Sequence, residues 1–288
     1  MSTAAQSWLA KKPGRRLSVA WLAFVCLLCP FPLRGQATGS AALANQQKAH
    51  AVLAATIQAL GGQAGLDVCN SRCQVRIASF FQGEPTGEVT DATVTSVFPD
   101  DARVDVERGR VIQIVSGRRG WEITYKGKKD LPEEKLDDIL RWRDHSLATV
   151  LREWYGNPAT VLIDQGPSQV ERRGTEKIML IHSAKDGSGS DGNANDAVTL
   201  EIDAESHLPL RLSFTWRDPR FHDKNLDAVE YDNYHQIDGI ATPFTMTQTH
   251  NGEVVSQLYV LKAQYNVAVQ RDAFDPNRAA AQDRKSVV

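Results

Sequence analysis

The residues able to do chemistry are scattered through this chain. Its seven histidines, His50, His145, His182, His207, His222, His235 and His250, never stand two to a helical turn in an H-E-x-x-H arrangement. His222 and Asp223 with Glu230 and Asp232 are the nearest approach to a metal-ligand set, but scattered acids around a solvated loop are by far the better reading of them. No G-x-S-x-G elbow occurs. The glycines from Gly187 to Gly192 lack the Lys-Ser/Thr that a phosphate loop needs. Neither catalytic residues nor a metal or other cofactor is therefore expected.

Cys69 and Cys73 are the remaining reactive pair. In an oxidising compartment a C-x3-C pair is expected to close a short structural disulfide, with free thiols or redox chemistry as alternatives. Redox pairs are ordinarily C-x-x-C at the start of a helix, and two cysteines alone make a poor zinc site.

The compartment follows from the N-terminus. Lys11, Lys12, Arg15 and Arg16 precede an apolar run from Leu17 to Cys29, too short to cross a hydrocarbon core of roughly 30 Å. Pro30 and Pro32 break that run, and Gly35-Gln36-Ala37 offers small residues for a signal peptidase. Residues 1–37 are expected to be a cleaved signal peptide, the alternative being an uncleaved anchor. Lipidation at Cys26 or Cys29 is disfavoured because Val25 and Leu28 precede them. The first 37 residues hold five of the 33 Lys and Arg and no acid, leaving 28 basic against 35 acidic residues, a net of −7. Such a surface argues against nucleic acid as a partner. The expected location is the periplasm, and the mature chain is expected to be a soluble monomer.

The elements that must position any site are mostly strands. Asn45 to Leu60 reads as a helix, with Ala49, Val52, Leu53, Ile57 and Leu60 on one stripe and Gly61-Gly62 as its stop. From Gln74 the period becomes two, with short turns at Gly83–Gly87, Pro99–Asp101, Gly109 and Gly117–Gly120. Pro132 to Trp154 reads as a second helix, with Pro and acids in its first turn. Strands then resume at Thr160–Ile163, Lys177–His182, Val198–Asp203, Pro209–Trp216, Val229–Ile237, Thr242–Thr249 and Val254–Tyr265. Residues 185–196 read as a solvated loop. Residues 38–277 form a single β-rich domain in this reading, and 278–288 a flexible tail. Two amphipathic helices cannot cover about ten strands unless the sheet bends around them. The expected fold is therefore α+β: a large curved antiparallel sheet, a half-open barrel, wrapped around two helices.

Several stretches carry a likeness. V-T-L-E-I-D-A-E-S-H-L-P at 198–209 precedes L-R-L-S-F-T-W. E-Y-D-N-Y-H-Q-I-D-G-I-A-T-P-F at 230–244 is followed by T-H-N-G-E-V-V-S-Q-L-Y-V-L-K-A-Q-Y-N-V and by F-D-P at 274–276. A-L-G-G at 59–62, F-P-D-D-A-R-V-D-V at 98–106 and G-R-R-G-W-E at 117–122 agree. In spacing and element order, most of 45–277 resembles the LolA-like superfamily, the periplasmic lipoprotein-sorting carriers. The resemblance implies an open barrel sheltering lipid or the acyl chains of a lipoprotein, without enzymatic activity, and a lid held by an arginine bonded to backbone carbonyls. Arg103 is the candidate for that latch. The loop at 185–196 and the cysteine pair depart from the pattern.

The expected cavity wall comprises Val104, Val106, Ile112, Ile114, Trp121, Ile123, Leu200, Ile202, Leu210, Leu212, Phe214, Trp216, Phe244 and Met246, each also readable as ordinary core. Cargo would displace part of the two helical stripes. Burial at roughly 25 cal/mol per Å² makes an acyl chain a worthwhile ligand if part of the interior is empty. The alternative function is a periplasmic protein-interaction module with a filled core, engaging an envelope protein partner. An envelope hydrolase ranks last.

Overall fold

The computed structural model describes residues 35–183 and 195–280. The expected signal peptide falls mainly on 1–34, outside these residues, as do most of the expected loop and residues 281–288 of the expected tail.

Among the described residues 13 strands form one antiparallel sheet. The chain starts with helix α1 (Gly35–Ala59) and the short α2 (Gly62–Leu66). A first meander follows: β1 (Asn70–Phe81), β2 (Glu84–Val97), β3 (Asp101–Val106), β4 (Val111–Ser116), β5 (Arg119–Thr124) and β6 (Gly127–Asp130). After α3 (Glu133–Asp144), α4 (Leu147–Thr149) and a π-helical turn (Val150–Trp154), a second meander runs through β7 (Thr160–Val170), β8 (Arg173–Ser183), β9 (Asn195–Asp203), β10 (Pro209–Arg217), β11 (Lys224–Ile237), β12 (Ile240–His250) and β13 (Glu253–Tyr265). The strand order is β6-β5-β4-β3-β2-β1-β13-β12-β11-β10-β9-β8-β7. Each meander thus occupies one half of the sheet, and the pairing of β1 with β13 joins them. The sheet is not closed, so β6 and β7 remain as its edges.

The turns use the residue types their geometry demands. Asp238-Gly239 and Asn251-Gly252 both have positive φ at the two turn positions, the conformation that makes a two-residue hairpin follow the strand twist. Both were legible as turns in the sequence.

The helices lie on one face of the sheet. Ala49, Val52, Leu53 and Ile57 of α1 pack with Val150, Leu151 and Trp154 against Ile178, Leu180, Val198, Leu200, Ile202, Leu212, Phe214 and Tyr231. Asn45 fixes α1 to β7 in both directions: its Nδ2 donates to the Asp164 carbonyl at 2.7 Å, and its Oδ1 accepts from the Asp164 amide at 3.0 Å. The end of α1 crosses the β11–β12 turn so closely that a Cβ on Gly61 would lie 2.8 Å from the Gly239 carbonyl oxygen.

Several elements depart from expectation. The first helix starts ten residues early, at Gly35. The second is not continuous. His145 and Ser146 interrupt it: the buried His145 ring bonds the Arg141 carbonyl, and Ser146 restarts the chain as an N-cap whose Oγ accepts from the Thr149 amide. The strands at 160–163 and 177–182 are parts of one longer hairpin, because Glu171 at positive φ makes a tight turn that its residue type does not announce. β6 was not expected at all. Of the expected tail, 278–280 is helical and Ala279 is buried.

Candidate functional site: a rim cavity under the lid helices

In an antiparallel ladder, directly paired residues point to the same face and neighbours along a strand to opposite faces. The register therefore decides which residues can reach the helix-covered, concave side. Val104 pairs with Val94, Val94 with Cys73, and Cys73 with Ala263. Val75, Ala92, Val260 and Ala263 form a buried cluster on that face, with Val104, Val106, Phe244 and Met246 packed around it. These four candidates thus lie on the concave side.

Arg103 and Asp105 alternate with Val104, and they pair with Ile114 and Ile112, which pair in turn with Trp121 and Ile123. Ile112, Ile114, Trp121 and Ile123 accordingly point away from the helices, onto the convex face. There Phe274, Ala279 and Ala280 of the C-terminal segment cover them. Their placement in the cavity wall is corrected. Period-two apolarity shows that residues share a face without saying which face it is.

The Arg103 guanidinium donates to the Asp105 carboxylate at 2.7–3.0 Å and to the Ala273 carbonyl at 2.9 Å. It does bond a backbone carbonyl, but that carbonyl belongs to the C-terminal segment. Arg103 fastens this segment to the convex face and does not touch the lid.

Leu200, Ile202, Leu212 and Phe214 are on the concave face but form solid core, each at most 2 % exposed, with Trp216 and Met246 packed against them. Leu210 sits at a bulge between the Pro209–Ile202 and Arg211–Glu201 pairs and is buried outside these clusters. The His145 ring stacks on Phe214 at 4.3 Å and Trp142 meets Phe214 edge-on at 5.1 Å, so the lid seals the centre of the sheet.

Open space remains at one rim. A cavity of about 520 Å³ lies where β1 and β12 begin and β2 and β13 end. Ile57, Leu60 and Leu66 bound it from α1 and α2, and Leu147, Ala148 and Leu151 from the lid. Val97, Phe98, Ala102 and Ile240 are among its sheet-side residues. None of the residues expected to line a cavity touches it.

Two lid arginines also border this cavity. Arg143 donates to the carbonyls of Gly117 (2.6 Å) and Asp100 (3.4 Å). Arg152 donates to the Gly65 carbonyl at 3.0 Å, and its guanidinium lies 4.5 Å from the centre of the Phe98 ring. Burial pulls the Arg152 guanidinium below its ordinary range. Arg143 and Arg152, rather than Arg103, join the lid to backbone carbonyls around it, with the arginines on the lid and the carbonyls outside it. Their position in an amphipathic segment between two meanders was the available signal.

The lid is held at its other end by a cluster that the sequence reading missed. The buried Asp227 carboxylate accepts from the Trp216 indole N–H at 2.9 Å and lies 2.7 Å from His250 Nδ1. Arg141 of α3 stacks over the Trp216 ring at 3.6 Å. On β5, a Cβ on Gly120 would meet the side-chain tip of Leu131 at 2.6 Å and that of Leu136, on α3, at 3.0 Å, so the missing side chain leaves room for both leucines.

Cys69 and Cys73 are free thiols, which corrects the expected disulfide. Cys69 extends the β1 ladder, its carbonyl accepting from the Phe98 amide at 3.0 Å, and Cys73 lies within β1. Four residues of extended chain separate Cα atoms by about 13 Å, whereas a disulfide tolerates about 7 Å. Burial pushes the Cys73 thiol above its ordinary range.

Glu230 pairs with Arg211 and Asp232 with Arg173, so the suspected metal set is dispersed into ion pairs. Among the described residues no group of three or more His, Cys, Asp or Glu could hold a metal ion, and no helix is long and apolar enough to cross a membrane.

No protein-family model matches the sequence, nor does any curated protein. Solved structures do match the fold. A domain named for outer membrane lipoprotein sorting, from Vibrio parahaemolyticus, is 12% identical with a TM-score of 0.52, over 82% of this chain and 100% of that one. A DUF1329 family protein from Desulfovibrio piger is 13% identical with a TM-score of 0.53, over 80% of this chain and 97% of that one. At such identity the likeness concerns architecture alone. The sheet topology, the helix-covered concave face and these matches together show that the chain has the LolA-like open half-barrel fold.

Proposed function

We propose that this protein is an exported, non-enzymatic carrier that holds a lipid or a lipidated ligand on the concave side of its half-barrel. The observation that carries the reading is the rim cavity. Its roughly 520 Å³ lies between the sheet and a lid that is interrupted at His145–Ser146 and fastened by arginine-to-carbonyl bonds. Mainly apolar walls favour a hydrocarbon ligand, and pockets of about 300–1,000 Å³ are the usual size for small-molecule sites. Lid displacement would extend the cavity toward the cluster of Val75, Ala92 and Val260. The export signal expected in residues 1–37 is consistent with work in the periplasm as a soluble monomer.

The solid packing around Phe214 favours a second reading, a protein-interaction module that binds an envelope partner and carries no lipid. Native mass spectrometry of protein purified from a membrane-containing host separates the two. A carrier retains extractable lipid, and Ala148→Trp, an exposed lid position on the cavity wall, reduces it at least tenfold without unfolding the chain. Protein that neither retains lipid nor binds a fluorescent fatty acid leaves the module.

A further inference from the structure

The rim cavity has a graded wall. Along β1 the concave face presents Val75, then Cys73, then Ser71 toward the rim. Val75 pairs with Ala92 and Val260, Cys73 with Val94 and Ala263, and Ser71 with Ser96 and Tyr265. In three ladder steps the surface therefore passes from aliphatic to hydroxyl-bearing. Ser71, Ser96 and Tyr265 all border the cavity, as do Arg143 and Arg152 from the lid. Such a wall suits an amphiphile lying with its chain inward and its head at the mouth.

One polar group at that mouth is under-used. Arg152 has five N–H donors, and one hydrogen bond, to the Gly65 carbonyl, engages them. A partly buried guanidinium with unused donors beside apolar surface is matched by an oxyanion, which its planar fork binds through two parallel hydrogen bonds. Arg143 is already paired with Asp144 at 3.0 Å and lies 3.8 Å from Asp100, which leaves Arg152 as the available cation; the acid on the cavity wall is Asp101, and Asp67 lies within electrostatic range of Arg152. Asp101 pairs with Val97 on the ladder and so points to the face opposite Ser96.

We propose that the cavity binds a single-chain amphiphile with an anionic oxygen head group, the head lying between Arg152 and the Ser71–Ser96 pair and the chain running toward Val75. This rests on the carrier reading and narrows it. The cavity volume, about 520 Å³, lies in the lower half of the small-ligand range and suits one alkyl chain better than the several chains of an acylated lipoprotein.

The test is titration of the delipidated protein with palmitate, with 1-palmitoyl lysophosphatidate and with uncharged 1-monopalmitoylglycerol, all below their aggregation thresholds. At least one anionic ligand should bind tenfold or more tightly than the uncharged one. Preference for palmitate assigns a carboxylate head, and preference for lysophosphatidate a phosphate head. Arg152→Gln should abolish the preference, read as the ratio of anionic to uncharged affinity, because loosening the lid shifts both affinities alike whereas losing the cation lowers only the anionic one. If that variant does not fold, Ser71→Ala combined with Ser96→Ala should reduce the preference severalfold. Equal binding of charged and uncharged ligands, or a preference that survives these changes, overturns the head-group assignment and leaves the carrier standing. Failure of all three ligands to bind overturns both.

Discussion

Arg143 of the lid donates to the carbonyl of Gly117 in the β4–β5 turn at 2.6 Å, and the same guanidinium reaches the Asp100 carbonyl in the β2–β3 turn. The lid is thus fastened to turns, the shorter bond going to the Gly117 carbonyl, while the Asp100 carbonyl also accepts from the Gly117 amide at 3.2 Å. A bond of this kind breaks without disturbing the sheet. Arg143→Ala should remove a charge-assisted hydrogen bond, of a class worth about 1.5–3 kcal/mol. Amide hydrogen exchange across 133–154 should quicken at least tenfold, while the strands of the second meander keep their protection. Uniform acceleration over the whole chain would show that the lid does not open as a unit.

Phe214 is the floor on which the lid rests. Its ring takes the His145 stack and the Trp142 edge, and it is 2 % exposed. Phe214→Ala should cost about 3–5 kcal/mol, as large-to-small changes of buried aromatics do. Chemical denaturation measures this directly. A loss under 1 kcal/mol would mean that the centre of the half-barrel is not packed.

Asn45 and Asp164 give α1 a pH-dependent tether. Asn45→Ala should destabilise the fold by about 1–3 kcal/mol by leaving the Asp164 amide and carbonyl unpaired. The Asp164 carboxylate accepts from Lys48 at 2.7 Å and from the Gly166 amide, which hold it below the usual carboxylate range. A group with a depressed folded pKa stabilises the fold above its unfolded pKa of about 3.9, and this is lost as pH falls through the folded value. Asp164→Asn should therefore melt below wild type at pH 7, with the gap closing below about pH 4. A gap independent of pH would exclude the carboxylate as its source.

The thiols should behave independently. Exposed Cys69 should react with maleimide well before Cys73, whose burial raises its pKa and slows it until the pH passes the ordinary thiol range. Mass spectrometry after alkylation under non-reducing conditions should find both Cys69 and Cys73 labelled. An intramolecular bridge in the native protein would mean that the start of β1 leaves the ladder.

The C-terminal segment is a structural strap. Ending the chain after Gln270 removes Phe274, Ala279 and Ala280 from above Ile112, Ile114 and Ile123. Re-exposing such side chains costs about 1.5–3 kcal/mol for each that is fully uncovered and creates an apolar patch. The truncated protein should bind a hydrophobic dye and aggregate, whereas Arg103→Ala should show the same change in milder form.

The sequence by itself determined the elements governed by neighbours along the chain. These include the apolar stripe of α1 with its Gly61-Gly62 stop, the strand alternation, and the Asp238-Gly239 and Asn251-Gly252 turns. It also implied a curved sheet, since two short helices cannot cover so many strands. Tertiary structure decided the site, because alternation leaves two faces indistinguishable. In β4 and β5 both faces are apolar: Val115 is buried with Leu131 and Leu140 on the helix side, while Ile112 and Ile114 are buried beneath the C-terminal strap. Long-range register alone placed Arg103 with the strap and Ser71 with the cavity. The cavity lies where α1, α2 and the broken lid fall short of the rim, a matter of helix placement that no local pattern records.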